Sequence, residues 1–284
     1  MNKIQKIYEL LHRVYGPQGW WPIISNKTLL CEYRGYAPKN DEERFEICCG
    51  AILAQNTSWY PGVVRALQQL KLGRPFTKKE LEVMQKAEIL RAKISEKPKK
   101  ITKANILTQN TAWKNVEKAI ENLNRKDLLA IEKIKKTNVK KIARLIRPAG
   151  YYNQKAERLK IVAEYFLKHF KNKTIPKREE LLKVKGIGPE TADSILLYAF
   201  KQPYFVVDAY TRRIFSRLGF FKENEKYDKI QEFFMDNLPK ENKKKTVEIY
   251  KEYHALIVEL AKRSCRKRAE CLACIMKKSC RNSK

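Results

Sequence analysis

No apolar run in the chain approaches the length of a membrane span, and the first residues lack the hydrophobic core of a secretory signal. The chain is therefore expected to be cytoplasmic and nucleoid-associated, not secreted. Strand patterning is also missing. No segment carries convincing period-two alternation, which disfavours sheet-based architectures and leaves an all-α fold class. Acidic residues are scarce, with 31 Asp and Glu against 61 Lys and Arg, a net charge of +30. That imbalance repels itself unless a polyanion offsets it, so DNA or RNA is the first partner to consider. A Lys-rich solvated surface is the plainer alternative. Wholesale disorder is excluded, because 43% of the 284 residues are hydrophobic and can form a core.

The stretch from Leu181 to Asp208 organises the rest. Gly186 and Gly188 flank one apolar residue in a turn between two helical patterns, beside Lys185. Such a turn bends tightly and leaves amides free at the start of the second helix, where a phosphate can bind. Asp208 lies eighteen residues after Glu190, in apolar sequence where a carboxylate is expensive. It reads either as a functional carboxylate or as the N-cap of the helical stretch that follows; the two roles are compatible.

Helical stripes are expected over 3–15, 209–219, 226–238 and 244–262, another from 156 to 170, and a short one at 137–146. Phe45 to Leu53 is nearly continuously apolar and reads as a buried helix. Gly19-Trp20-Trp21-Pro22 forms either a flat aromatic wall for a nucleobase or a plug that packs the first helix onto the body. An eight-residue segment, Ile52 to Trp59 around Gln55, recurs 54 residues later as Ile106 to Trp113 around Gln109. The stretch between the copies, about 60–105, looks inserted. The tail carries Cys265, Cys271, Cys274 and Cys280. Four thiols this close, in a reducing compartment, point to zinc or an iron–sulfur cluster in preference to disulfides.

Taken together, these segments resemble the endonuclease III, or helix-hairpin-helix, superfamily of DNA glycosylases. Val184 to Ala192 resembles the family hairpin, and Val207-Asp208 falls where the family carries its catalytic aspartate. Phe45 to Gln55 resembles the early helix and the glutamine that enters the gap left by a flipped base. Gly150 to Ala156 resembles the loop that bears a wedge residue, here Tyr151. The Cys tail resembles the [4Fe–4S] loop, with zinc as the alternative metal. Bifunctional members carry a lysine at the position of Glu190, and a carboxylate cannot form the Schiff base that leads to strand cleavage.

The pattern is most similar to the monofunctional 3-methyladenine DNA glycosylase III-like group, in which an aromatic pair sandwiches the alkylated base. Here the matching residues are Trp21, from the Trp20-Trp21 pair, and Phe45. The resemblance implies a two-lobed all-α fold. One lobe spans 28–200 and includes the hairpin; the other joins 1–27 to 201–284 with the cluster. It implies a monomer acting on double-stranded DNA that contains a damaged base, with that DNA lying between the lobes. The implied reaction is hydrolytic release of an alkylated purine such as 3-methyladenine. Three other activities stay open: a uracil or thymine-mismatch glycosylase, a bifunctional glycosylase with lyase activity, or a non-catalytic, structure-specific DNA-binding protein. Gln55 is favoured over Gln109 as the gap-filling residue, because Phe45 and the buried helix lead into it.

Overall fold

Asn2 starts the first helix. Its side chain accepts from the Gln5 amide at 3.0 Å, and the Gln5 side chain accepts from the Asn2 amide at 3.1 Å. This reciprocal cap satisfies two of the amides that a helix start leaves open. The helix, α1, runs Lys3–Tyr15, buries Ile4, Ile7 and Leu11, and stops at Gly16, whose φ of +69° suits glycine. The computed structural model describes residues 1–24, 31–33, 35, 38–55, 131–146 and 152–282. The insert and the second copy of the repeated segment lie outside them.

The described chain continues through a two-stranded ribbon of two residues per strand, β1 (Ile23–Ile24) and β2 (Cys31–Glu32), into α2 (Asp41–Leu53). Next come α3 (Ile131–Lys136), α4 (Val139–Ile146) and α5 (Tyr152–Lys171). The hairpin helices are α6 (Arg178–Leu182) and α7 (Pro189–Ser194), the latter widening into a π-helical turn at Ile195–Ala199. Then follow α8 (Ala209–Arg217), α9 (Tyr227–Asn237) and α10 (Lys243–Arg263), with 3₁₀ turns at Cys271–Ala273 and Lys277–Ser279. Among the described residues the fold is all-α apart from the short ribbon.

Two compact units divide the chain. One comprises 24–31 and 53–172. In its described part, α3 and α4 pack against α5 around Ile134, Ile142, Leu159, Val162 and Phe166. The other comprises 1–23, 32–52 and 173–284, and so takes in both the hairpin and the chain ends. The sequence reading closes the first lobe after residue 200 instead. A buried polar network accounts for the grouping. Arg178 of α6 donates to both carboxylate oxygens of Asp193, at 2.7 and 3.1 Å. Gln231 of α9 donates to Asp193 at 2.7 Å and to the Phe205 carbonyl at 2.6 Å. With Asp193 fully buried, removing one partner would strand a charge, so hairpin and α9 hold together.

The core of this second unit is aromatic. Phe205, Phe215, Phe234 and Tyr253 are all fully buried, with Phe205 stacked on Phe234 at 4.3 Å. Burying rings of this size contributes roughly 1.5–3 kcal/mol each before conformational entropy is counted. Tyr253 also donates its hydroxyl to the Ile4 carbonyl at 3.1 Å, which fixes α1 against α10.

Candidate active site

The hairpin turn is built by glycine where the backbone requires it. Gly186 has φ +91°, a left-handed conformation that favours residues without a Cβ. Gly188 caps α7 in an extended conformation, and Pro189 takes the first helical position, where no amide is needed. Lys185 is exposed beside it. Glu190, in the first turn of α7, keeps solvent-accessible surface but is hemmed in by protein. Desolvation, with the nearby Asp208 charge adding to it, raises its carboxyl to about 7.

Asp208 caps α8. Its Oδ1 accepts from the Thr211 amide at 2.7 Å and from the Thr211 hydroxyl at 2.8 Å. The residue is buried at 8% exposure. Burial alone would push its carboxyl up; His254 and the two Thr211 donors outweigh that and hold it below the ordinary value. A buried carboxylate held charged has more partners than a cap requires. The connector leading to it is pinned at the Val207 amide, which donates to the Tyr227 hydroxyl at 3.3 Å.

The opposite carboxylate oxygen, Oδ2, faces Nε2 of His254 at 3.6 Å. Nδ1 of the same ring lies 2.7 Å from the Tyr198 hydroxyl, which lies 3.3 Å from the Lys251 carbonyl. Tyr198 is fully buried in the π-helical turn, and His254 is 5% exposed on α10. The sequence reading assigns no role to His254, within the stripe over 244–262, or to Tyr198, within the stretch from Leu181 to Asp208.

Around this line stand the two tryptophans. Trp20 meets the His254 ring edge-on at 5.8 Å, and the Lys262 ammonium lies 5.7 Å from its ring. Trp20 also borders a cavity of about 360 Å³ with Tyr8, His12, Lys251 and Glu252. Trp21 packs edge-on against Tyr198 at 5.0 Å and is 6% exposed; Phe45, on α2, is 7% exposed. Thus Asp208, Trp20 and Trp21 gather around His254 and Tyr198, while Phe45 is buried in the same unit. Lys251 is also buried, and desolvation lowers its ammonium to about 8.

Gln55, in the other unit, accepts from Arg158 at 3.0 Å. Gln109 and Tyr151 lie outside the described residues.

The four tail cysteines are partly exposed. Helix α8, which begins at Asp208, holds this tail at its other end. Arg213 donates to the Cys265 carbonyl at 2.9 Å, and Arg217 donates to the Arg266 and Lys267 carbonyls at 2.8 and 3.0 Å. Burial raises the Cys274 thiol, and Cys265, Cys280 and Cys271 add to the shift. The sulfurs are near enough to feel one another, and four thiols suit a soft metal or iron–sulfur cluster. Among the described residues, however, no three His, Cys, Asp or Glu side chains converge closely enough to hold a metal ion.

Comparison with known proteins places this geometry in a family. Residues 104–240 match the HhH-GPD superfamily base excision DNA repair protein model, starting two residues before the second copy of the repeated segment. A putative DNA repair glycosylase of Methanocaldococcus jannaschii is 53% identical over 184 residues, covering 62% of this chain and 81% of that protein. The endonuclease III of Sulfolobus acidocaldarius is 32% identical over 183 residues, covering 63% and 79%. Among solved structures, the 3-methyladenine DNA glycosylase of H. pylori bound to 1,N6-ethenoadenine aligns with a TM-score of 0.57 at 27% identity, over 92% of this chain and 98% of that one. An endonuclease III–DNA complex shares the fold, with a TM-score of 0.60 at 16% identity over 100% and 97%. The chain belongs to the HhH-GPD superfamily of base excision DNA repair proteins, the family of the DNA glycosylases.

Proposed function

We propose that the protein is a monofunctional DNA glycosylase that hydrolyses the N-glycosidic bond of an alkylated purine. The observation that carries this reading is Asp208, a buried carboxylate anchored by Thr211 and facing His254, together with a glutamate, Glu190, where the bifunctional pattern has lysine. The aromatic surroundings support the substrate class, since a methylated purine is cationic and is attracted to ring faces. The likeness to the H. pylori enzyme supports it as well.

The basic surface tracks the phosphates, and the amides near Gly186 and Gly188 hold one of them. The target base leaves the stack toward the tryptophans and Phe45. As the C1′–N bond breaks, its electron pair stays on the base nitrogen and neutralises the cationic base. Asp208 stabilises the oxocarbenium-like sugar through its charge. A water oxygen then bonds to C1′, and its proton passes to Asp208 and on to solvent. Base and abasic site are the only products, because Glu190 has no amine to attack the sugar.

Cys265, Cys271, Cys274 and Cys280 would hold a [4Fe–4S] cluster, which when bound supplies a structural cross-link that shapes the basic tail loop and takes no part in the hydrolysis. The test of function is a panel of duplexes carrying methylated purines, uracil or a thymine–guanine mismatch, scored for free base and for strand breaks. Release of methylated purine without strand cleavage is expected. Release of uracil or thymine alone overturns the substrate class, and binding without any release overturns the enzymatic reading.

A further inference from the structure

His254 has no place in the reaction as described so far. It is a buried imidazole whose two nitrogens face different groups, Asp208 Oδ2 at 3.6 Å and the Tyr198 hydroxyl at 2.7 Å. A ring that only fills space needs neither neighbour. We propose that His254 is a positioning residue for base release: Tyr198 fixes its Nδ1, and its Nε2 fixes the orientation of the Asp208 carboxylate toward the sugar. This inference rests on the glycosylase reading above.

The hydrogen-bond inventory supports the assignment. Thr211 donates twice to Oδ1, so that oxygen is anchored to the start of α8. Oδ2 is the oxygen left to face a reacting sugar, and His254 Nε2 is the ring nitrogen beside it. With the proton on Nε2, the ring donates toward Oδ2, and Nδ1 accepts the Tyr198 hydroxyl proton. The separation is longer than a finished hydrogen bond, as contacts of this kind often are before substrate tightens the site.

The Tyr198 hydroxyl also lies 3.3 Å from the Lys251 carbonyl, so the group that fixes the ring is itself held. The charged or titratable groups around this centre are Asp208 and Glu190 on the opposing elements, Tyr198 in the π-helical turn with Glu252 acting on it, and Lys251 and Lys262 on α10 itself. Arg212 acts on Glu190.

The test uses the full-length protein with methylated duplex, comparing wild type, His254→Ala, His254→Gln and Tyr198→Phe. Single-turnover release, duplex affinity and thermal unfolding are measured for each. His254→Ala should lose about 100-fold in release rate, the scale of a misplaced reacting group, with affinity within about threefold of wild type. His254→Gln keeps an amide donor beside Oδ2, so it should recover at least tenfold of that loss. Tyr198→Phe should fall between wild type and His254→Ala.

His254→Ala at near-wild-type rate overturns the proposal. So does a loss that merely follows the folded fraction, with no recovery in His254→Gln. If His254→Ala does not fold, Tyr198→Phe at the wild-type rate overturns it instead. A wild-type protein that releases no base from any duplex overturns the glycosylase reading, and this inference with it.

Discussion

Asp208 is both a helix cap and the proposed catalytic group, and two substitutions separate these roles. In Asp208→Asn the amide oxygen can accept the same two Thr211 bonds now made at 2.7 and 2.8 Å. Asn and Asp are equally good N-caps, so α8 keeps its start. The new Nδ2 would meet His254 Nε2 donor to donor. The ring avoids this by carrying its proton on Nδ1, donating to the Tyr198 oxygen while Tyr198 donates to the Lys251 carbonyl. The expected stability change is within about 1 kcal/mol, a shift of about 2–4 °C in melting temperature for a chain of this size. Asp208→Ala removes the cap outright and should cost about 1 kcal/mol or somewhat more.

Catalysis should not follow that order. Both variants lose the charge that faces the sugar, and a preorganised group of this kind contributes about 10²–10³-fold in rate. Single-turnover release of methylated purine should therefore fall at least about 100-fold in Asp208→Asn although it folds normally. Duplex affinity by fluorescence anisotropy should be retained or slightly strengthened, because a negative charge near the phosphates has gone. The reasoning is refuted if Asp208→Asn releases base within about tenfold of wild type while Asp208→Ala is impaired. That pattern would make Asp208 a cap and nothing more.

Three further outcomes are expected. Wild-type protein incubated with abasic duplex and borohydride should give no covalent adduct, whereas abundant trapping would identify a lysine nucleophile and end the monofunctional assignment. Glu190, raised to about 7 by burial first and Asp208 second, is held protonated in the fold over a window where the unfolded chain has already lost the proton. Stability should thus fall as pH rises from about 4.5 to 7 and level off above, and the melting-temperature difference between Glu190→Gln and wild type should grow in favour of the variant across that window; a constant difference would contradict this. Anaerobically purified protein should show an iron–sulfur absorption band and carry roughly four irons, and Cys271→Ser should lose both signals; zinc at one per chain would replace the cluster.

How much of this was legible beforehand follows from which forces act locally. The helix read over 3–15 has those bounds, because its cap and its stop are sequence-local. The long stripe read as 244–262 is the helix Lys243–Arg263 for the same reason. The buried helix read from Phe45 begins instead at Asp41, since Asp41, Glu42 and Glu43 fill a first turn that favours acid, a signal outside the apolar run. The helix read from Thr137 begins at Val139, because the Asn138 side chain accepts from the Lys140 amide at 2.9 Å. The π-helical turn at Ile195–Ala199 left no trace in hydrophobic spacing. Asp208 and the hairpin were visible because their spacing is itself the signal. His254, 46 residues beyond Asp208, looked like any apolar-stripe residue until the fold set its ring against the carboxylate.

Glu190 stands where the bifunctional pattern has lysine. A lysine at this position would attract the Asp208 carboxylate and offer a nucleophile. A glutamate does neither; desolvation first, and the Asp208 charge second, raise its carboxyl to about 7 beside a carboxylate held low. On the proposed reading, Asp208 is already charged and stabilises positive charge on the sugar directly, while Glu190 offers no amine to lead to strand cleavage, so the site suits a substrate whose base leaves readily.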